Sequence, residues 1–391
     1  MASSVATLVK SLDKINAADF ESDEAARVNA IAAAQKMIHR LQSGVERGIE
    51  LTHQRSTVFP IIDVFEDLGL WEAWASQGHE ISLEGLAQLS NTPLALNLLR
   101  RLCRLLTAAD IFEEKSEDCY TPTELSLYMG DKTKGSQVSQ GSAPGWVGSY
   151  TNLPIFLKET AYQEPLDPKK SAYSKTAGKS FWEELSQDPL QQENFGRFMS
   201  SWAKFKVPWP AFYDTESLVR GAEPGMPILV DIGGNDGTDV ERFLAKHPGV
   251  AAGSLILQDR PAALKLAKVD QKIELMPHDF FTPQPVIGSR AYFFHAVLHD
   301  WDDAHALDIL RNTVPAMRKG YSKLLILDIA IPRTGASLIQ AAMDISMMSL
   351  LSSLERPITT WEILLKKAGL KIVKFWPDPR RYETLIEAEL E

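Results

Sequence analysis

The stretch FFHAVLHDWDD, residues 293 to 303, sets His295 and His299 four apart, ahead of acidic side chains flanking Trp301. Three chemistries are open to such a pair: metal binding, proton transfer by one imidazole, or ordinary packing. The residues before His299 form a short apolar run, so the segment begins as a β-strand and His299 falls past its end. A zinc pair at i, i+4 needs both imidazoles on one helical face, usually with a nearby Glu, and no metal is expected here. A histidine at the carboxyl edge of a central strand is well placed as a general base, because its unperturbed pKa of ~6.5 lies near working pH. A histidine that merely bonds its loop neighbours is the alternative for His299, and packing is the favoured reading for His295.

A second chemical signal is ILVDIGGNDGTDVERFLAKH, read as strand, glycine turn and helix, the helix beginning near Thr238. Gly233, Gly234 and Gly237 allow a tight turn, and the helix points its positive end at whatever binds. The spacing G-G-x-x-G is not the G-x-G-x-x-G of a dinucleotide site, so a phosphate is not demanded. Asp259 closes the next strand in LILQDRP, near the spacing of roughly 20 residues at which an acidic side chain grips ribose hydroxyls. Asp279 of PHDFF ends a third strand. With Asp231 these carboxylates suit a cationic nucleoside cofactor better than a pyrophosphate. A glycine turn that only packs a helix on a sheet remains the alternative.

The elements that must position these residues follow from the pattern. From about residue 4 to 112 the chain reads as helices, with an N-cap at Ser22, then two short helices and a β-rich piece resembling a winged helix. Residues 129 to 145 are rich in Gly, Pro and polar side chains and read as a linker. A helical stretch carrying Met199 and Trp202 follows. From Pro227 onward, ILVDIGG, SLILQD, IELMP, AYFFHAV, LLILDIAI and LKIVKFW alternate with amphipathic segments, as expected of a mostly parallel sheet with helices on both faces.

Composition narrows the class. The 391 residues are 45% hydrophobic and 24% charged, those of a globular α/β protein with no apolar run of the ~18 residues a membrane span needs. The N-terminal stretch does not read as a secretory signal, so a cytoplasmic address is expected. The net charge of −10 argues against nucleic acid as a partner. Arg100, Arg101 and Arg104 read as the solvated face of an amphipathic helix. The two cysteines, Cys103 and Cys119, are expected as free thiols.

LVDIGGNDG, LILQDRP, MPHDFF, AVLHDWDD, LLILDIAIP and SLERPITTWEILLKKAGLKIVKFW, in this order, resemble the S-adenosylmethionine-dependent O-methyltransferases of the plant caffeate type and their fungal relatives, over nearly the whole chain. The resemblance implies an α-helical, winged-helix-like dimerisation domain (1–128), a linker (129–145) and a Rossmann-like, seven-stranded α/β methyltransferase domain (146–391). It also implies a homodimer. S-adenosylmethionine would lie against Asp231, Gly233 and Gly234, with ribose on Asp259 beside Arg260, adenine at Asp279 and Phe280, and His295 completing the cofactor site. His299 would be the base, oriented by Glu355 of LERP and by Asp328, where the family commonly has Glu. Asn235 stands where the family usually has a third glycine; Asn tolerates left-handed geometry.

The acceptor, an aromatic or polyketide-derived small molecule, would meet Met199, Trp202, Phe205, Asp300, Met343 and Met347, although Met and aromatic residues at helical spacing are more often core. Three functions are weighed: methyl transfer to a phenolic or enolic hydroxyl; a pericyclase that keeps the cofactor as a bound charge, as some fungal members do; and a silent dimeric scaffold. The intact His299 and Glu355 favour the first.

Overall fold

The computed structural model describes every residue except 1, 13, 22, 132–143, 166, 168, 189–190, 193–194, 196–197, 200–201, 203–204 and 266, with backbone alone at 2–6 and 144–145. The chain divides into two compact units, Met1–Ser139 and Gln140–Glu391.

In the first unit, helix Glu24–Leu41 is capped by Asp23, which accepts from the Ala26 N–H; the cap expected at Ser22 lies outside the described residues. That helix and the next, Gly44–Ile49, bury no residue, and Ile31, Ile38, Leu41, Val45 and Ile49 stand exposed. Helices Arg55–Asp67, Leu70–Gln77 and Leu96–Ala108 instead pack Phe65, Trp71, Trp74, Leu99 and Cys103 into one core with Phe112 and Tyr120. The last two come from an antiparallel sheet of β1 (Ile81–Ser82), β2 (Phe112–Ser116) and β3 (Cys119–Pro122), in the order β1-β3-β2. Arg100 forks onto Asp118 at 2.7 Å, while Arg101 and Arg104 face solvent. Both cysteines are free, and burial pushes the Cys103 thiol up to about 12.

The described ends of the stretch 129–145 include helical residues. Met129 and Gly130 close the helix Glu124–Gly130, which Thr123 starts with a reciprocal cap. Pro144 opens the helix Pro144–Glu159, a first-turn position where its missing N–H costs nothing. The intervening residues 132–143 lie outside those described.

The second unit holds a seven-stranded sheet: β4 (Leu229–Ile232), β5 (Leu255–Asp259), β6 (Ile273–Pro277), β7 (Ala291–His295), β8 (Lys323–Asp328), β9 (Leu370–Pro377) and β10 (Thr384–Leu390), in the order β6-β5-β4-β7-β8-β10-β9. Only β10 runs against its neighbours. It is the strand the hydrophobic pattern missed, since TLIEAEL interrupts its apolar run with two glutamates. Successive residues of β7 serve opposite layers: Tyr292 and Phe294 pack with Ile326 and Trp361, whereas Phe293 packs under Trp209, stacked at 4.8 Å. No helix among the described residues is long and apolar enough to cross a membrane.

The strand order locates the crevice. The chain begins in mid-sheet at β4, builds outward through β5 and β6, then returns to β7 on the other side of β4. Beyond the carboxyl ends of β4 and β7 the connections therefore diverge, and such switch points are where open α/β sheets bind ligands.

A fold test lies at Gly130, where an added Cβ would stand 2.1 Å from the Trp71 carbonyl oxygen. Gly130→Ala should destabilise the first unit by about 2 kcal/mol or more, the scale of an overpacked core. Chemical denaturation should show a lower midpoint; an unchanged midpoint would contradict the helix packing.

Candidate active site

The glycine turn leaves β4 at the switch point. Gly233 and Gly237 take φ of 74° and 84°, and Asn235 takes 51°, the left-handed region in which Asn is tolerated better than most side chains. A Cβ on Gly233 would stand 2.8 Å from Val297 and 3.8 Å from the Phe280 ring, and one on Gly234 would stand 2.6 Å from the Asp231 carboxylate. Only bare backbone can close over Asp231. The Asp259 carboxylate accepts from the Asn235 N–H at 2.9 Å and from the Arg260 N–H at 2.6 Å, keeping lone pairs for further donors. Asp279 is exposed and accepts from the Phe281 N–H at 2.9 Å.

Asp231 is fully buried and both its carboxylate oxygens lack a partner. Burial, with Asp239 nearby, pushes its carboxyl well above the ordinary range. An orphaned carboxyl under a side-chain-free turn, beside a half-buried aromatic ring and an acceptor carboxylate, fits a nucleoside ligand carrying amino and hydroxyl donors.

His299 sits in a single 3-10 turn, Leu298–Asp300, just past β7. Its Nδ1 lies 3.1 Å from Glu355 Oε1 and 3.8 Å from Asp328 Oδ1, and its Nε2 lies 3.6 Å from Asp300 Oδ1. Asp328 closes β8, and Glu355 follows helix Leu338–Leu351, whose Asp344 accepts the Glu355 N–H at 3.0 Å. Burial opposes charging the imidazole, but the carboxylates of Glu355, Asp300 and Asp328 outweigh it and hold His299 at about 10. Burial pushes Asp328 up to about 7 despite the pull of His299, and Asp300 is raised as well. Glu355 and Asp328 each keep one buried oxygen without a partner.

The structure thus brings together the three residues expected to form the base and its orienters, and adds Asp300, expected in the acceptor pocket, on the other ring nitrogen. Arg356, missed in the sequence, is fully buried and clamps the His299 turn. It donates to the Leu298 and Trp301 carbonyls, each at 2.5 Å, and to Asp303 at 2.8 Å. Nothing in LERP distinguishes that clamp from a surface arginine.

His295 belongs to a separate cluster. Its Nδ1 is 2.5 Å from Asp239, and its Nε2 is 3.0 Å from Glu383 and 2.9 Å from Lys206 Nζ. Burial and Lys206 disfavour the imidazolium, yet Asp239 and Glu383 prevail and hold His295 at about 9. The two histidines that open the sequence pattern therefore have different partners, as their two sides of a strand end require.

Of the expected pocket residues, Trp202 donates from Nε1 to the Tyr382 hydroxyl at 2.9 Å, and Phe205 lies 5.6 Å from Trp202 under the Arg380 guanidinium. Met199 is half-buried. Met347 packs with Tyr173, Phe181 and Leu350, and Met343 borders that cluster, so both methionines serve packing.

Residues 159–371 match the O-methyltransferase domain family. The chain is 32% identical to the O-methyltransferase mfmE of Annulohypoxylon moriforme, over all of this chain and 97% of that one. The chain belongs to the S-adenosylmethionine-dependent O-methyltransferases. Among solved structures, one described as a pericyclic reaction enzyme superimposes with a TM-score of 0.85 at 26% identity, covering 100% of this chain and 99% of that one. The LepI complex with SAM superimposes equally well, at 27% identity and the same coverage. The methyltransferase family and the observed cradle agree: the cofactor is S-adenosylmethionine, and the glycine turn with Asp231 and Asp259 has the chemistry to hold it.

The His299 cluster has a pH signature. Its folded value stands above the ordinary 6.5, so it contributes stability that is full below that pH and is lost as pH rises through about 10. The melting-temperature advantage of wild type over His299→Gln should shrink between these limits. An advantage that grows with pH would refute the carboxylate-held imidazolium.

Proposed function

We propose that this O-methyltransferase acts on a phenolic or enolic hydroxyl of a polyketide-derived or other aromatic metabolite, with His299 as general base. The observation that carries the reading is the buried imidazole with Glu355 and Asp328 on one nitrogen and its other nitrogen turned to Asp300.

S-adenosylmethionine supplies an activated methyl on a sulfonium. The chain's own residues then have two tasks. They align the acceptor oxygen, since positioning carries much of such a barrier, and they remove its proton. Glu355 fixes the Nδ1–H tautomer, leaving Nε2 to accept, as an acidic partner does in hydrolase triads. Held at about 10, His299 matches a phenol of pKa ~10, so proton transfer between them is nearly balanced. At neutral pH most of the imidazole is charged. Positive charge in the crevice disfavours that imidazolium, and Asp328, near 7, can share the proton. Asp231, Gly233, Gly234 and Asp259, beside Arg260, would hold the cofactor, with Asp279 and Phe280 at its adenine and His295 contributing through its cluster.

A second reading is supported by the superposition on a pericyclic reaction enzyme: cofactor binding without methyl transfer, ring formation being promoted by fixed charge. Mass spectrometry separates the two. A product heavier by one methylene, with S-adenosylhomocysteine formed, supports methyl transfer; a product of unchanged mass with the cofactor intact supports the second reading.

For methyl transfer, His299→Ala should lower turnover by about 10²–10⁴-fold while S-adenosylmethionine affinity, measured by calorimetry, stays within about twofold. For wild type, kcat/KM should climb as pH rises from neutrality. Loss of cofactor binding in the variant would make His299 structural.

We also propose that the first unit is a winged-helix-like dimerisation domain. Support comes from helices Glu24–Leu41 and Gly44–Ile49, which bury nothing although they carry exposed Ile and Val side chains; such surface favours association. Light scattering should report a dimer at micromolar concentration, and a strict monomer would contradict it.

A further inference from the structure

The loop between β9 and β10 sets Tyr382 against Trp202, one of the expected acceptor-pocket residues. Asp378, buried at the loop's start, accepts from the backbone N–H groups of Arg380 at 2.6 Å and Tyr382 at 3.0 Å, and also from that of Glu383. Arg381 takes a left-handed φ of 56°, a costly conformation for a side chain of its size. One buried carboxylate and one strained residue thus fix the direction in which Tyr382 and Glu383 leave the loop. Glu383 turns to Lys206 and His295. Tyr382 turns to Trp202.

The register puts Tyr382 beside the base. Thr384 pairs with Asp328 across β10 and β8, so Tyr382 lies just beyond the strand end that supplies one of the His299 carboxylates. Its ring meets Trp202 edge-on at 5.6 Å and Phe205 at 6.0 Å, an aromatic wall suited to a flat ligand. The phenol oxygen is only 2.9 Å from the Trp202 indole nitrogen and accepts its proton. The Tyr382 O–H itself donates to nothing among the described residues, although the residue is only 3% exposed. Buried donors in native proteins almost always have a partner. Burial and the carboxylates of Glu383 and Glu355 raise the phenol far above its ordinary value, so it remains a donor and never a base.

We propose that Tyr382 is a specificity-determining residue, its O–H donating to a carbonyl oxygen carried next to the reacting hydroxyl of an aromatic acceptor. This rests on the acceptor reading of the crevice given above. Tyr382 contacts no member of the His299 cluster directly, so its partner is a second oxygen on the same ring system, and a carbonyl is the group that accepts without needing a donor in return. The Trp202 bond presets the phenol and lowers the ordering cost of binding.

The test uses two probes of matched shape: a dihydroxyacetophenone whose carbonyl is ortho to a hydroxyl, and the corresponding ethylresorcinol, in which methylene replaces the carbonyl. Binding is measured by calorimetry on the full chain with S-adenosylhomocysteine present, so the result does not depend on methyl transfer. Wild type should prefer the carbonyl probe, and Tyr382→Phe should weaken that probe alone by roughly tenfold, the scale of one hydrogen bond to a buried donor. Trp202→Phe, which releases the phenol from its preset direction, should narrow the same preference. Equal weakening of both probes by Tyr382→Phe would mark a structural role and overturn the proposal, as would a wild type that binds the two alike or binds neither. Discrimination in binding with no S-adenosylhomocysteine produced from S-adenosylmethionine would leave Tyr382 its role and remove methyl transfer instead.

Discussion

Burying one imidazole among three carboxylates is the constraint on which the candidate site of the second unit turns. His299 and Asp300 come from the turn after β7, Asp328 from the end of β8, and Glu355 from the segment after helix Leu338–Leu351. Coulomb attraction across less than 4 Å holds them together, but the desolvation of so much charge works against it. The arrangement persists because the backbone leaves it little freedom. Arg356, adjacent to Glu355, is locked onto the carbonyls that flank His299, and Asp344 holds the Glu355 N–H. His299 is positioned by hydrogen bonds to backbone at both of its shoulders.

The second buried cluster solves the same electrostatic problem differently. Lys206, His295 and Arg242 face Asp239 and Glu383, three basic side chains against two acids, and both acids fall to about 2, each pulled down by its cationic neighbours against burial. His295, held at about 9, keeps its charge at neutral pH. The His299 cluster carries an excess of acid; burial, with Glu355 nearby, raises Asp328 and Asp300, and Asp328 and Glu355 each keep an oxygen without a partner. An imbalance of that sign lets a proton move, and gives a cation arriving in the crevice something to interact with.

The glycine turn and His299 are coupled by topology alone. β4 and β7 are hydrogen-bonded neighbours, yet the chain reaches β7 only after laying down β5 and β6 on the far side. The turn after β4 and the turn after β7 therefore open side by side, with Val297 under Gly233 as the point of contact. The Asn in the turn costs the fold little because its backbone already sits in the left-handed region, where Asn is tolerated.

Local pattern in the sequence already determined a good deal: short apolar runs mark five parallel strands, the glycine spacing marks a turn that cannot be a dinucleotide fingerprint, and motif order points to the family. His299 was legible from its place just past an apolar run, whereas Glu355 and Asp328 were legible only through the resemblance to the family. Tyr382, Glu383, Lys206 and Arg356 were not. Their partners lie far away in sequence, 180 residues in the case of Trp202 and Tyr382, and no local periodicity encodes which polar side chain turns inward. β10 was hidden for the same reason, since Glu387 is buried against Trp376 and Lys323 and disguises an interior strand as a polar one. Tertiary structure alone decided which charges are buried together, because a carboxylate's energy depends on its desolvation and neighbours, both set only once the sheet has closed.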